Sequence, residues 1–270
     1  MNNNLTIIIH SYKSSNDIQD CIDSAKLLTD NLVVVEMESE ETKKTMSIIE
    51  KNGIKEKYIV THTGYVESHR EFGIAKAKTP WVFLLDADER IMPELTKEIV
   101  SHSGLSRIDS GVALRAPQND DSITYYEVPR KEIVFGRYWL KHGGWWPNFQ
   151  TRLFKKDALV SWPKAIHSTP VFKGKKGMLT NYLLHYSQKD FGAIVDKTIN
   201  FQLKEADLFY QSGVKTNTLN FFRKFLGELF KRLIKNAGFL DGRIGVIESI
   251  YQAFSKTITY LYLYEKSRSL

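Results

Sequence analysis

Residues 81–90 read Trp81-Val82-Phe83-Leu84-Leu85-Asp86-Ala87-Asp88-Glu89-Arg90. An unbroken apolar run with no alternation describes a strand covered on both faces, as in a parallel sheet. The acidic triplet that follows sets two carboxylates, Asp86 and Asp88, at the strand's carboxyl end. In an open α/β sheet that is the edge where ligands bind. Everything else in the chain bears on whether residues 81–85 are such a strand.

Upstream, residues 5–9, 32–35 and 58–60 form comparable apolar or β-branched runs. Segments of helical character lie between them, at about 16–28, 40–52 and 66–78. Asn52-Gly53 closes the second of these, and Thr79-Pro80 ends the third just before residue 81. Alternation of this kind predicts an α/β fold with a mostly parallel sheet, flanking helices and right-handed crossovers, residues 81–85 being its fourth strand. From about residue 111 the texture changes. Short β-type runs at 112–115, 123–128, 149–154 and 183–186 are interleaved with glycine, proline and aromatic residues, which suggests an added mixed sheet and loops. After Ser187 the pattern is helical, with breaks near Gly213 and Gly238. The expected organisation is therefore an α/β half at 1–110, a mixed sheet with loops of the same domain at 111–187, and a helical extension at 188–270.

With 270 residues, 42% hydrophobic and 26% charged, the chain has the composition of a globular protein with a sizeable core. Its formal net charge of +7 favours an anionic partner. The lone cysteine, Cys21, excludes an internal disulfide and a cysteine-based zinc site, and suits a reducing compartment. No basic and long apolar leader precedes residue 5, and no run reaches the length of a membrane-spanning helix. The expectation is a cytoplasmic, non-spanning protein.

Carboxylate oxygens at a strand end suit hard divalent cations such as Mg2+ or Mn2+, which also grip diphosphates. The structural alternative is that Asp86 and Asp88 cap a helix beginning near Pro93. Arg130 and Arg152 offer planar donor forks for a diphosphate or a phosphorylated acceptor, or else make ion pairs on the sheet. Trp145 and Trp146, beside Gly143-Gly144, read as one sugar-stacking platform and one core residue. His185 reads as a support of the fold. Farther on, Phe221, Phe222, Phe225, Leu226, Leu229, Phe230, Leu233 and Ile234 recur at helical spacing, with Arg223, Lys224, Lys231, Arg232 and Lys235 beside or opposite them. Such a helix either packs on the protein or lies in an anionic membrane interface, peripheral to the inner face of the cell membrane. The basic residues gather on this striped helix, so nucleic acid is not an expected partner.

The segment WVFLLDADERIMPEL, residues 81–95, resembles the Asp-x-Asp region of inverting family 2 glycosyltransferases of the GT-A (nucleotide-diphospho-sugar transferase) fold. Most similar is the bacterial group that builds lipopolysaccharide inner core, of the β-1,4-glucosyltransferase type. Further stations follow in the order this family shows. They are Val128-Pro129-Arg130 with Gly136, Gly144-Trp145-Trp146-Pro147-Asn148, Arg152-Leu153-Phe154, His167, His185-Tyr186-Ser187 and Gly238-Phe239-Leu240-Asp241-Gly242. The chain departs from the pattern elsewhere. Ser11-Tyr12-Lys13-Ser14 replaces an Asn-Glu pair, and Glu36-Met37-Glu38-Ser39-Glu40 replaces an Asp with a Gly/Ser-rich turn. Arg70 matches, while Glu71 stands for Asn and His167-Ser168 for His-Glu.

The resemblance implies transfer of a hexose, glucose by preference, from a UDP-sugar to a lipopolysaccharide-core or lipid-linked saccharide, with inversion and with Mg2+ or Mn2+. In that reading Asp88 and Asp86 hold the metal, and Glu36, Arg70, Asp86, Arg130 and Arg152 hold the donor. A general base takes the acceptor proton. His167 is the candidate and Glu89 its rival, Glu89 alternatively orienting the acceptor sugar. Two other readings remain at this stage: a non-catalytic homologue that binds sugar nucleotide or docks on a membrane, and a nucleotidyltransferase. The latter would want a glycine-rich loop after the first strand, where residues 10–15 hold no glycine.

Overall fold

The computed structural model describes residues 3–102, 122–164, 168–188 and 191–268. The run expected as a strand at 112–115 and the candidate base His167 lie outside the described residues. The chain forms two compact units, Met1–Arg130 with Phe149–His185, and Lys131–Asn148 with Tyr186–Leu270.

In the first unit, β1 (Leu5–Ser11), α1 (Ile18–Lys26), β2 (Leu32–Met37), α2 (Thr42–Lys51), β3 (Glu56–Val60), α3 (Glu67–Lys76) and β4 (Trp81–Asp86) alternate as the sequence predicts. The runs β3-β2-β1-β4 are mutually parallel. Alternate residues of β1 and β4 enter different clusters, Ile7, Ile9, Phe83 and Leu85 on one side and Ile8, Val82 and Leu84 on the other. Both faces of these strands are therefore covered, which is why their sequences do not alternate. A helix must come close for this: a Cβ at Gly73 of α3 would stand 2.8 Å from Ile8 Cγ2 and 3.2 Å from His10 Nε2. Glycine there lets α3 approach the sheet.

After β4 come β5 (Glu89–Ile91), α4 (Pro93–His102) and β6 (Ile123–Val134), which passes out of the first unit after Arg130. The strands β8 (Asn148–Lys155), β9 (Leu159–Ser161), β10 (Val171–Phe172), β11 (Lys175–Met178) and β12 (Leu183–Gln188) follow β7 (Tyr138–Trp139). The sheet order is β3-β2-β1-β4-β8-β6-β12-β5, with β8 antiparallel to β4 and β12 antiparallel to β5. The very short β5, β7, β9, β10 and β11 carry no period-2 signal long enough to read from sequence.

The second unit is built on α5 (Phe191–Gln211), α6 (Thr218–Leu229) and α7 (Gly242–Arg268). The breaks fall where glycine predicts them: Gly213 has φ +73°, and a short 3-10 turn runs Gly238–Asp241. A polar seam joins α5 to α7. Gln202 Nε2 donates to Ser255 Oγ at 2.9 Å, Thr259 Oγ1 to Glu205 Oε2 at 2.9 Å, and Lys256 Nζ stands 2.8 Å from Glu205 Oε1. The wide apolar stripe expected on α6 divides. Phe221 packs edge-on against Tyr264 at 5.8 Å, and Lys224 lies over Tyr260 at 4.9 Å, so one flank of α6 is covered by α7. Phe222, Leu226, Phe230 and Ile234 stay exposed.

Candidate active site

The carboxyl ends of β1, β2 and β4 come together by register, His10 opposite Asp86 and Ser11 opposite Glu36. After Asp86 the chain turns tightly. The Ala87 N–H donates to the His10 carbonyl at 2.9 Å, and the Asp86 N–H to Glu89 Oε2 at 3.1 Å. This turn returns Glu89 beneath the acidic triplet, fully buried. The triplet is thus a turn between strands, and Asp86 and Asp88 do not cap the helix at Pro93.

Asp86 sits between two arginines. Arg70 Nη2, from α3, lies 2.8 Å from its Oδ1, and Arg152 Nη2, from β8, lies 2.7 Å from its Oδ2. Arg152 also reaches Glu89 Oε1 at 2.5 Å, and Arg130 Nη1, from β6, approaches the same oxygen at 3.4 Å. Burial disfavours ionised Asp86, but Arg152 and then Arg70 outweigh it and hold its carboxyl well below the usual range. Burial likewise opposes charge on Arg152, yet Asp86 and Glu89 leave its pKa raised. Arg70 Nη1 is 3.0 Å from His10 Nδ1. A guanidinium only donates, so Nδ1 accepts and the imidazole proton resides on Nε2, facing the His69 carbonyl at 3.4 Å. Burial, reinforced by Arg70, keeps His10 well below its ordinary pKa and neutral.

Asp88 faces a different partner. The β5–β12 register places His185 opposite Glu89, and His185 Nε2 lies 3.3 Å from Asp88 Oδ2. Their side chains retain 11% and 30% exposure, against 22% for Asp86 and 5% for Arg70 and Arg152. Glu36 is fully buried. Thr42 Oγ1 donates to its Oε1 at 3.3 Å, while Oε2 has no well-formed hydrogen bond among the described residues. Burial pushes its carboxyl up, partly countered by the Ser11 and Thr42 hydroxyls. Trp162, 5.8 Å from the Arg70 guanidinium, helps wall a cleft of about 470 Å³ that also includes Arg70, Asp86, Arg130 and Arg152.

Of the residues singled out from sequence, Arg70, Asp86, Glu89, Arg130 and Arg152 therefore meet in one charged cluster. Asp88 stands at its rim, and Glu36 lies at the end of β2. Sequence reasoning missed His10 and Trp162 altogether and read His185 as a support of the fold. A signal for His10 existed, since it directly follows the first of the parallel runs. None existed for the pairing of His185 with Asp88, which depends on the antiparallel partner of a three-residue strand. In the second unit, Asp241 accepts from the N–H groups of Lys141 and His142 at 2.9 and 2.8 Å and from His142 Nδ1 at 2.7 Å. This ties the loop bearing Trp145 and Trp146 to the start of α7. Trp145 there faces the Arg232 guanidinium at 5.2 Å, and Trp146 meets Trp139 edge-on at 5.6 Å.

The description of glycosyl transferase family 2 matches residues 6–172. An uncharacterized glycosyltransferase of Rickettsia conorii is 27% identical over 282 residues, covering 99% of this chain and 93% of the relative. One from Rickettsia bellii is 26% identical over 261 residues, covering 93% and 82%. Among solved structures, S. aureus TarS 1-349 is similar at 14% identity and a TM-score of 0.41, covering 98% of this chain and 91% of that one.

Proposed function

We propose a donor, an acceptor class and a mechanism from one premise: the chain belongs to glycosyl transferase family 2 and is a glycosyltransferase. A nucleotidyltransferase is thereby set aside. The donor is a nucleoside-diphosphate hexose, UDP-glucose by preference. The acceptor is a lipopolysaccharide-core or lipid-linked saccharide, and the transfer inverts the anomeric centre.

The observation that carries this reading is the charge balance at the strand edge. The guanidiniums of Arg70, Arg130 and Arg152 face the carboxylates of Asp86 and Glu89, three cations against two anions, which leaves one positive charge for an anionic ligand. A diphosphate meets that requirement. Glu36 Oε2, buried and short of a donor, suits a ribose hydroxyl.

For the metal, both oxygens of Asp86 are held by arginine, so Asp86 is a poor direct ligand and shapes the site instead. Asp88 offers a carboxylate oxygen of the kind Mn2+ or Mg2+ accepts and His185 an imidazole nitrogen that only the transition metal Mn2+ would take, the diphosphate supplying more oxygens. Among the described residues no group of three or more such side chains gathers by itself, so the donor must complete the set. A bound cation would neutralise charge on the departing diphosphate.

In the transfer, an acceptor hydroxyl oxygen attacks C1 of the sugar. The C1–oxygen bond breaks with its electron pair going to the nucleoside diphosphate, and the acceptor proton passes to a base. Glu89, sealed from solvent and bound by Arg152, orients that arginine and does not meet the acceptor. His167 remains the proposed base. Asp88→Asn is expected to lower turnover by about a hundredfold or more while altering stability little. Titrating Mn2+ and Mg2+ into wild type and variant while following UDP-sugar turnover, with and without acceptor, tests this. Full activity in excess chelator, or a variant as active as wild type, would overturn the mechanism.

A further inference from the structure

Helix α6 has two apolar flanks and one explanation for only one of them. Phe221, with Phe209 and Tyr262, packs on the Ala206–Tyr260–Leu263 core of the second unit. The other flank, Leu219, Phe222 and Leu226, continued by Phe230 and Ile234 of the π-helical turn Phe230–Lys235 that follows α6, is spaced by three or four residues. It is more than half exposed throughout, from 72% at Leu219 to 52% at Ile234. A contiguous stripe of large apolar side chains in the open marks an interaction surface. α7 adds Ile247, Ile250 and Phe254, each nearly half exposed or more.

Charge says what covers it. From residue 214 to residue 243 the sequence holds seven basic residues and two acidic ones. Both acids are committed internally, Glu228 to Arg232 at 2.7 Å and Asp241 to His142 at 2.7 Å. Arg232 is likewise occupied, with Trp145 and the Gly143 carbonyl. Arg223, Lys231, Lys235 and Arg243 are exposed around the stripe. A second copy joined about a twofold axis would set these cations against themselves. A surface that is apolar at depth and anionic at its rim satisfies both features. No helix among the described residues is long and apolar enough to cross a membrane, so this one would lie along it.

We propose that the open flank of α6, continued by α7, docks on an anionic lipid surface, with Phe222, Leu226 and Phe230 entering the acyl boundary and Arg223, Lys231 and Lys235 meeting headgroup phosphates. This deepens the lipid-linked acceptor reading and relies on it only for the purpose of docking, since the surface argument is independent of catalysis.

The full chain is tested by flotation with phosphatidylcholine vesicles containing or lacking phosphatidylglycerol, at low and high salt. Wild type should float with the anionic vesicles and lose binding as salt rises. Each cation near the surface is worth about fivefold in affinity, so Arg223→Glu, Lys231→Glu and Lys235→Glu together should weaken binding by about a hundredfold or more. Phe222→Ser with Phe230→Ser should abolish it at unchanged thermal stability, because both side chains are already in water. Metal-dependent binding of UDP, measured on the same variants, should not change. No flotation of wild type, undiminished flotation of either variant, or a wild-type dimer that the Phe variant converts to monomer would overturn the docking. Loss of UDP binding in wild type would instead overturn the donor assignment and leave the docking intact.

Discussion

The two units depart from an apolar interior and a polar surface in opposite ways. In the first, the large apolar side chains of β1, β2 and β4 are inside and the charges converge at one strand edge, Arg70, Glu89 and Arg152 nearly or fully enclosed and Asp86 partly so. In the second, a polar seam of Gln202, Glu205, Ser255 and Thr259 holds α5 to α7, while Phe222, Leu226 and Phe230 face outward. Buried charge is costly unless matched, so the first unit's cluster marks a site shaped for an ionic ligand. Exposed apolar surface is costly unless covered, so the second unit's stripe marks a surface shaped for a partner. Each unit departs from the inside-apolar rule at the place where it meets something else.

The strongest way to break this contrast is Asp86→Asn. It removes the carboxylate that Arg70 faces and leaves Arg152 with Glu89 alone, and breaking a buried pair of this kind costs roughly 3–5 kcal/mol. The sign with pH is definite. The folded-state pKa of Asp86 is depressed, so its contribution is present above the unfolded value of about 3.9 and is lost as pH falls through the folded one. The stability gap between wild type and variant, followed by urea unfolding, should therefore be full near neutrality and shrink in acid. A gap that does not vary with pH would show that the cluster is not the ionic structure described.

A smaller effect sharpens the account of the second unit. Asp241→Ala removes one carboxylate that accepts from the Lys141 and His142 N–H groups and from the His142 ring. A loss of about 1–3 kcal/mol is expected, with faster amide exchange at 141–142. Exchange unchanged at those amides would mean that the tryptophan loop is held by other contacts.

The smallest expected change is at Glu36. Burial raises its folded-state pKa, so its contribution is present below the unfolded value of about 4.3 and lost as pH rises through the folded one. Glu36→Gln should be more stable than wild type near neutral pH and equal to it near pH 4. UDP affinity should fall by roughly tenfold if the carboxylate accepts from ribose. An unchanged affinity with the same stability gain would leave Glu36 as a structural acid and move ribose recognition elsewhere.

Local pattern was enough for the parallel half of the sheet. Uniform apolar runs at 5–9, 32–35 and 81–85 have no reading other than strands covered on both faces, and Thr79-Pro80 or Asn52-Gly53 stop the helices between them. The same logic placed Asp86 and Asp88 at a strand end, because a buried apolar strand must release its first charged residues at its edge. Arg152 and Arg130 were legible as binding candidates by residue type, but type says nothing about partners.

What only the tertiary structure decided were the pairings that join distant residues. That Arg152 meets Asp86, and that His185 meets Asp88, depends on the antiparallel registers of β8 with β4 and β12 with β5, and Arg70 reaches Asp86 from the packing of α3 on the sheet. Short strands with mixed burial carry no periodicity from which such registers can be read. The division of the α6 stripe had the same origin. Helical spacing shows which residues share a side of the cylinder, and α6 is apolar over more of its circumference than one neighbour can cover. Sequence by itself determined the parallel strands, the acid-bearing edge and an amphipathic, cation-rich helix, because those follow from interactions within a few residues. Which cations neutralise the acids, and which flank of the helix is left to meet a partner, follow from contacts between separate elements, such as Arg70 and Arg152 with Asp86 or Phe221 with Tyr264, and those exist only once the chain is packed.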